Sequence, residues 1–483
     1  MPALKRPERA ARVALPPRQA VVAADTDVLV VGGGPAGLGA AVGAAEAGAR
    51  VVLAERYGFL GGNATAALVM PLMSFHTQQH QPERRGVTTL LPTDHGPGDP
   101  VVGGVLARLL EKLVRAGGAI PPSLATGYVV PFDPEWFKLS ALDLLDEAGV
   151  QFLFHAFASG VLGGSKVQGV VFETKSGPVA IRARITIDCT GDADLAVQAG
   201  APHEVGRADG LVQPMTLMFR IAQFGHAAFE EYVRQNPKQW RGVHGLWDLV
   251  REATEAGVLK LPREDILFFA TPNEGEVSVN STRVTRVNGT DVWDLSYAEW
   301  KSRQQMRQIA AFLREYVPGF EESYVVQSGV NVGVRETRRI IGDYQLTADD
   351  VLNARKFDDA IARGAYPVDI HNPKGPGTVL KRLPPGEAYD IPLRCLLPQK
   401  ADNLLVAGRC ISGTHEAHSS YRVMPIVMAT GHAAGVTAAI AAREGLAPRA
   451  VAPGAVQREL VRQGASLRRD VVENATEIGN QVQ

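Results

Sequence analysis

Residues 27–56, DVLVVGGGPAGLGAAVGAAEAGARVVLAER, constrain this chain more than any other stretch. The run 28–31 is continuously β-branched and apolar, the pattern of a strand buried on both faces of a parallel sheet. Gly32, Gly34 and Gly37 come next at GxGxxG spacing. The first permits a tight turn, the second lets a pyrophosphate approach the backbone, and the third lets the adjoining helix pack closely on the strand. Pro35 and Ala36 open that helix, which is nearly all Ala and Gly as far as Ala47. Its first-turn N–H groups and positive dipole end face the phosphates. Residues 51–54 predict the second strand, and Glu55 closes it where an acid accepts a ribose hydroxyl and repels a 2′-phosphate. A lone GxGxxG is a weak signal; strand, turn, helix, strand and terminal acid together predict a dinucleotide site.

The fingerprint does not by itself separate FAD from NAD; three later stretches do. After Glu55 and Arg56 comes Tyr57-Gly58-Phe59-Leu60-Gly61-Gly62-Asn63-Ala64-Thr65, later Ile187-Asp188-Cys189-Thr190-Gly191-Asp192-Ala193-Asp194, and near the C-terminus Asn403-Leu404-Leu405-Val406-Ala407-Gly408-Arg409. At these residues the sequence resembles the FAD-dependent oxidoreductase family built on the glutathione-reductase-like fold. Within it, the likeness is to the branch that looks like fumarate reductase and heterodisulfide reductase flavoproteins. It spans roughly residues 25–443 and is least specific in the substrate region. The resemblance implies FAD, with Gly61, Gly62, Asn63, Ala64 and Thr65 passing beside the flavin and Gly408 and Arg409 near the pyrophosphate and ribityl chain. It further implies cofactor contacts at Arg56, Ala158, Thr190, Gly191 and Asp192. Arg422, Val423 and Met424 then lie where the last long helix points its N-terminus at the pyrimidine edge.

At 483 residues the chain is long enough for two or three domains, and its net charge of −1 gives no argument for nucleic acid. Cys189, Cys395 and Cys410 stand far apart with no CxxC, against a disulfide framework, a zinc site or an iron–sulfur cluster. That departs from heterodisulfide reductases, whose flavoprotein carries cysteine-ligated clusters. Residues 1–24 read as a basic, proline-interrupted tail without a signal-peptide core, and no run of about eighteen uninterrupted apolar residues predicts membrane insertion. The expectation is a cytoplasmic protein, free to form a homo-oligomer, in which the sequon at Asn474 and Thr476 has no meaning.

The predicted fold class is α/β: a Rossmann-type FAD-binding domain, discontinuous and with an antiparallel β-meander, plus an inserted α+β substrate or cap domain. The FAD-binding domain takes residues 25–199 and 393–446, the insert 200–392, and a C-terminal helix and frayed tail 447–483. A scaffold helix is expected over 103–117, and a second opens at Asp133-Pro134-Glu135 and ends at Gly149. Runs 167–174 and 179–183 read as hairpin strands, and 184–188 as a return to the main sheet. Helices are also expected over 300–320, after Thr347 with its capping acids, and over 425–443. The Pro, Gly and His-rich stretch 70–100 contains His76, His80 and His95; no ligand spacing repeats, which favours a loop over the cofactor rather than zinc.

Two stretches supply groups for chemistry. Arg335, Glu336, Arg338 and Arg339 set three guanidiniums beside one carboxylate; on a helix the arginines share a face suited to a substrate carboxylate or to a salt-bridge network. His415 and His418 precede the last long helix and are candidates for proton transfer, with His371 a weaker one. The resulting expectation is hydride transfer between flavin and a small anionic substrate, with the electron acceptor unspecified. A flavin-binding sensor without turnover and an NAD-dependent dehydrogenase are the alternatives.

Overall fold

The structure is a computed structural model describing residues 5–8, 11–79, 86–92, 98–375 and 377–473. His80, His95 and the sequon at Asn474 lie outside the described residues. Strand β1 (Val21–Val31), helix α1 (Pro35–Glu46) and strand β2 (Val51–Ala54) form the expected βαβ unit, with β1 and β2 parallel from Val28↔Val51 to Val31↔Ala54. Helix α2 (Val105–Arg115) buries Val105, Leu106, Leu109, Leu110 and Leu113, a stripe at helical period that its sequence carries. In α3 (Pro134–Glu147) the Asp133 carboxylate accepts from the N–H groups of Glu135 and Trp136, so the proline and acid of the first turn sit where a capped helix puts them. Strand β3 (Gln151–Leu153) then extends the sheet parallel to β2.

The meander comes next as β4 (Phe157–Leu162), β5 (Gly169–Thr174) and β6 (Gly177–Asp188). The hairpin strand and the returning strand predicted separately are one strand of 12 residues. No glycine or proline interrupts 179–188, so nothing breaks it. Its first half pairs antiparallel with β5, while its whole length lies parallel to β1 from Val21↔Val179 to Val31↔Asp188. The short helix α4 (Asp194–Gln198) leaves the end of β6.

A second sheet begins after β7 (His203–Val205). It contains β8 (Phe219–Ala222), β9 (Trp240–Arg241), β10 (His244–Gly245), β11 (Ile266–Ala270), β12 (Val277–Val279) and β13 (Tyr324–Ser328), in the antiparallel order β13-β8-β12-β11-β10-β9. Helices α5 (His226–Gln235), α6 (Trp247–Glu255) and α7 (Val292–Tyr316) belong to the same stretch. Its core is aromatic: Phe229 meets Trp240 edge-on at 4.9 Å and Phe268 meets Phe320 at 5.3 Å.

Packing divides the chain differently from the boundaries expected at 200 and 392. The separate apolar clusters run from Met215 to Val334, apart from Leu90, whereas Ile340, Leu346, Phe357 and Tyr389 join the core of the first sheet. That later stretch comprises β14 (Arg338–Ile340), which pairs with β7, then α8 (Ala348–Leu352), β15 (Ala360–Gly364), β16 (Val368–His371), β17 (Thr378–Lys381) and β18 (Tyr389–Pro392). Thr347 and Asp350 form the capping box of α8 that the sequence predicts. Strands β15 and β18 pair with each other, as do β16 and β17.

The chain returns as β19 (Leu404–Val406), parallel to β6, and continues through α9 (His415–Tyr421), α10 (Met424–Glu444) and α11 (Pro453–Arg462). Helix α10 is long and apolar enough to cross a membrane by composition, but 89% of that window is buried against the rest of the chain. It crosses α1 at backbone contact: a Cβ on Gly39 would lie 2.2 Å from the Met428 carbonyl oxygen, and one on Gly431 1.9 Å from that of Ala36. The end expected to fray is packed at least to Val471, which is 5% exposed, because Val456, Leu460 and Leu467 carry the core onward.

Candidate functional site

A cleft opens along the C-terminal ends of β1, β2, β6 and β19. Its floor is the glycine turn and the start of α1: Gly32, Gly34, Pro35 and Ala36. Gly32 has φ +103°, and a Cβ there would lie 2.4 Å from the Cys189 carbonyl oxygen, so only glycine lets β1 turn under the end of β6. Gly37 is not on the wall; its missing side chain allows the first turn of α1 to rest on Gly32, where a Cβ would come within 1.8 Å of the carbonyl oxygen.

Glu55, Arg56 and Ala158 line the cleft, and Ala156 N–H donates to the Glu55 carbonyl at 3.0 Å. The Glu55 carboxylate is 5% exposed and accepts from Gly33 N–H at 2.5 Å and Tyr57 N–H at 2.9 Å. Burial raises its pKa above the usual carboxylate value. The glycine turn is thereby fastened to the acid that the fingerprint places at the end of strand two.

The middle is shaped by two loops. Gly62 and Asn63 line it, whereas Gly61, Ala64 and Thr65 stand behind: Gly61 turns at φ +110°, Ala64 is buried, and the Thr65 hydroxyl donates to the Leu60 carbonyl at 2.6 Å. Thr190 and Gly191 also line it. Asp188, fully buried, organises that loop: one oxygen accepts from Thr190 N–H and hydroxyl, the other from Leu195 and Ala196 N–H at the start of α4. Asp194, on the wall, is pushed up to about 6, by burial first and then by the charges of Asp188 and Asp192. Asp192 itself holds Arg409 at 3.0 Å rather than the cleft.

Gly408, Arg409, Arg422 and Met424 also line the cleft, with Val423 the residue before α10. Arg409 donates to the Val334 carbonyl at 2.6 Å, and Asn63 Nδ2 donates to the same oxygen at 3.1 Å. The segment before Arg335 is therefore tied to the cleft from both sides. Residues that sequence reasoning did not single out also line it: Tyr57, whose hydroxyl donates to Asn331 Oδ1 at 2.7 Å, Asn331 itself, and Phe157, an exposed aromatic on β4. Phe157 sits in an ordinary strand pattern and Asn331 in an irregular loop, so neither carried a local signal.

The expected catalytic groups separate. Residues 335–337 are irregular and 338–340 are strand β14, so the arginines do not share a helical face; pairing with β7 sends neighbours to opposite sides. Arg338 donates to the Asp192 carbonyl and pairs with Asp194, which commits it to the loop around Thr190. Arg339 is 1% exposed and bonded to Glu336, Gly413 O and Gly206 O, a structural network. His415 is 5% exposed, with Nδ1 2.8 Å from that same Glu336. His418 is fully buried, and burial together with Arg339, Arg422 and Arg409 drives its pKa well down, so it is a neutral imidazole shut away from the cleft. Proton transfer to a ligand in the cleft is therefore not a role for His418.

Arg335 is different. Its guanidinium donates to Pro214 O at 2.7 Å and Thr216 Oγ1 at 2.5 Å, and it is half-buried. His371, on β16, lies 3.5 Å from Asp369 and is pulled down to about 4 by burial, against the opposing pull of Asp369. Among the described residues no three His, Cys, Asp or Glu side chains gather as metal ligands. His76 stacks on Tyr128 at 4.2 Å.

This donor set fits FAD. A backbone turn bare of side chains lies at a helix N-terminus, an acid stands at the end of strand two, and Arg409 and Arg422 line the same groove. Bound there, FAD supplies a two-electron acceptor or donor for hydride. Three solved structures are similar over most of their lengths. A geranylgeranyl bacteriochlorophyll reductase-like protein from Thermoplasma acidophilum has 13% identity and TM-score 0.40, over 95% of this chain and 83% of that one. The p-nitrophenol 4-monooxygenase of Pseudomonas putida has 11% identity and TM-score 0.43, over 94% and 89%. A myxobacterial chondrochloren halogenase has 16% identity and TM-score 0.38, over 93% and 78%. No curated protein matches the sequence. The family model for FAD dependent oxidoreductases matches residues 27–460, and with this coverage the chain belongs to the FAD-dependent oxidoreductase family.

Proposed function

We propose that this flavoenzyme transfers hydride between FAD and a small anionic organic substrate. The observation that carries the reading is Arg335. It comes directly after Val334, whose carbonyl joins Asn63 and Arg409 of the cleft, and its guanidinium meets only neutral oxygens. Among the described residues it has no carboxylate within ion-pair distance, a state that a half-buried guanidinium keeps at a cost unless a ligand supplies the anion. His371, neutral and beside Asp369, is the imidazole placed to hold or move a proton there. His415 is a weaker candidate, since its Nδ1 is engaged by Glu336. The narrower likeness to fumarate reductase and heterodisulfide reductase flavoproteins belongs to this proposal as well; it rests on the stretches 57–65, 187–194 and 403–409.

The test is anaerobic bleaching of the purified yellow protein by a panel of carboxylates, alcohols and amines, in wild type and Arg335→Gln. The expected result is bleaching by one or more anions and a rate about a hundredfold lower in the variant, with flavin content unchanged. Bleaching by neutral compounds alone, or an unaltered rate in Arg335→Gln, would overturn the reading.

A further inference from the structure

Beside the cleft, segments far apart in sequence bring together more positive than negative charge. The backbone sets the arrangement. Met215 pairs with Val284 and Thr216 with Gly333, each by two antiparallel hydrogen bonds. Neighbouring residues of an extended segment point their backbone groups to opposite edges. The stretches carrying Arg283 and Arg335 therefore flank residues 214–216 on both sides. Arg335 folds back on Pro214 and Thr216. Arg283, 7% exposed, donates to the Gly377 carbonyl at 3.0 Å at the turn of the β16–β17 hairpin, and its Nε is buried without an acceptor. From β16, Asp369 comes into the same group: its Oδ2 is 3.5 Å from Arg422 and from His371, and the Tyr366 hydroxyl donates to it at 2.9 Å.

The charges do not balance. Arg263 has Asp265 at 3.0 Å, and Arg422 has Asp369. Among the described residues neither Arg283 nor Arg335 has a carboxylate within ion-pair distance. Burial, then repulsion from Arg263, lowers Arg283 to about 10; burial, then repulsion from Arg422 and Arg283, lowers Arg335 to about 9. Both remain protonated at neutral pH, and neutral His371 alters nothing in the count. Nor does the diphosphate of the cofactor answer them, because neither lines the cofactor cleft. Asp369 pulls on both from beyond ion-pair distance, and one buried and one half-buried guanidinium remain without a paired carboxylate, an expensive state in a low-dielectric site.

We propose that this site receives an organic substrate carrying two negative charges, with Arg335 and Arg283 each matching one, and that charge count is what selects the substrate. The proposal rests on the anionic-substrate reading above and sharpens it. The two charges belong either to two carboxylates or to one phosphomonoester, and the two guanidiniums suit both.

The experiment is calorimetric binding to the flavin-loaded protein, with short dicarboxylates, their monoamides and a phosphomonoester of similar length. Wild type should bind at least one dianion about tenfold or more tighter than the matching monoanion, the scale of one charge-assisted hydrogen-bonded pair. Arg283→Gln and Arg335→Gln should each remove that preference, and Arg283→Lys should keep part of it, which separates lost charge from lost fold. A dicarboxylate preferred over the phosphomonoester places the charges at two ends; the reverse places them on one group. Equal affinity for dianion and monoanion, or a preference that survives both Gln variants, overturns the inference. If monoanions bind equally well and bleach the flavin, only the charge count falls; if anions neither bind nor bleach it, the anionic-substrate reading falls with it.

Discussion

The cofactor cleft and the charged site next to it are built by opposite means. The cleft is a backbone construction, in which Gly32, Gly37 and the crossing of α1 with α10 work because side chains are absent. The charged site is a side-chain construction, in which Arg283, Arg335, Asp369 and Arg422 arrive from different segments and none is placed by its neighbours in sequence. The first kind tolerates almost no change and declares itself locally. The second rests on a sum of charges that no single segment contains.

Four tests, using five substitutions, break or sharpen this contrast. The largest is at the seam between the first sheet's helices and the second sheet. Arg220, on β8, pairs with both Asp133, the cap of α3, and Glu276, next to β12, all three side chains being nearly buried. Arg220→Ala leaves two carboxylates unmatched and should cost roughly 3–5 kcal/mol in denaturant unfolding, with the second sheet loosening first. A loss below about 1 kcal/mol would show the regions held together without it. Next is Gly37→Ala, which puts a Cβ 1.8 Å from the Gly32 carbonyl oxygen. It should cost about 3 kcal/mol, the upper end for overpacking, and yield protein that loses its yellow colour on desalting. A variant that stays yellow with unchanged Tm would show that the turn has room to spare.

The third change concerns acid. His432, 2% exposed on α10 and 2.7 Å from Gln463 Oε1, is lowered to about 4 by burial, against an ordinary value of 6.5. The fold thus favours its neutral form. Its contribution is intact above pH 6.5 and is lost as pH falls toward about 4, as the unfolded chain takes up a proton first. The loss should total roughly 3 kcal/mol across that window, and His432→Gln should flatten the stability profile there. His371, also lowered to about 4 but 24% exposed in its side chain, should produce a smaller flattening when replaced by Gln. If the two variants reverse in size, the charged site rather than the cleft leads acid unfolding. The smallest effect lies outside both regions: Thr347→Ala removes the α8 capping box and should cost about 1 kcal/mol without touching flavin content or bleaching.

Local rules were legible where one residue serves the backbone beside it. The glycine turn, the Asp133 cap and the Thr347 capping box all stand at the positions their spacing predicts. Whether 335–339 is a helix stayed conditional in the sequence because a short polar stretch has no apolar period, and partner strand β7 decided its conformation. His418 was open for a related reason: a histidine before a helix looks the same in sequence whether its ring faces a cleft or, as here, the interior. The glycines that let α1 and α10 touch read only as a composition bias until both helices were in place.

The amino-acid sequence alone determined the βαβ unit and the nucleotide cradle, because those constraints act between residues a few positions apart and concern room for the backbone; the coenzyme came from a resemblance carried by three distant stretches. Tertiary structure decided which arginines are matched and which are not, because electrostatic balance is set by distance in space. Arg283, Asp369 and Arg422 become neighbours only when the second sheet and the β16–β17 hairpin close over the first.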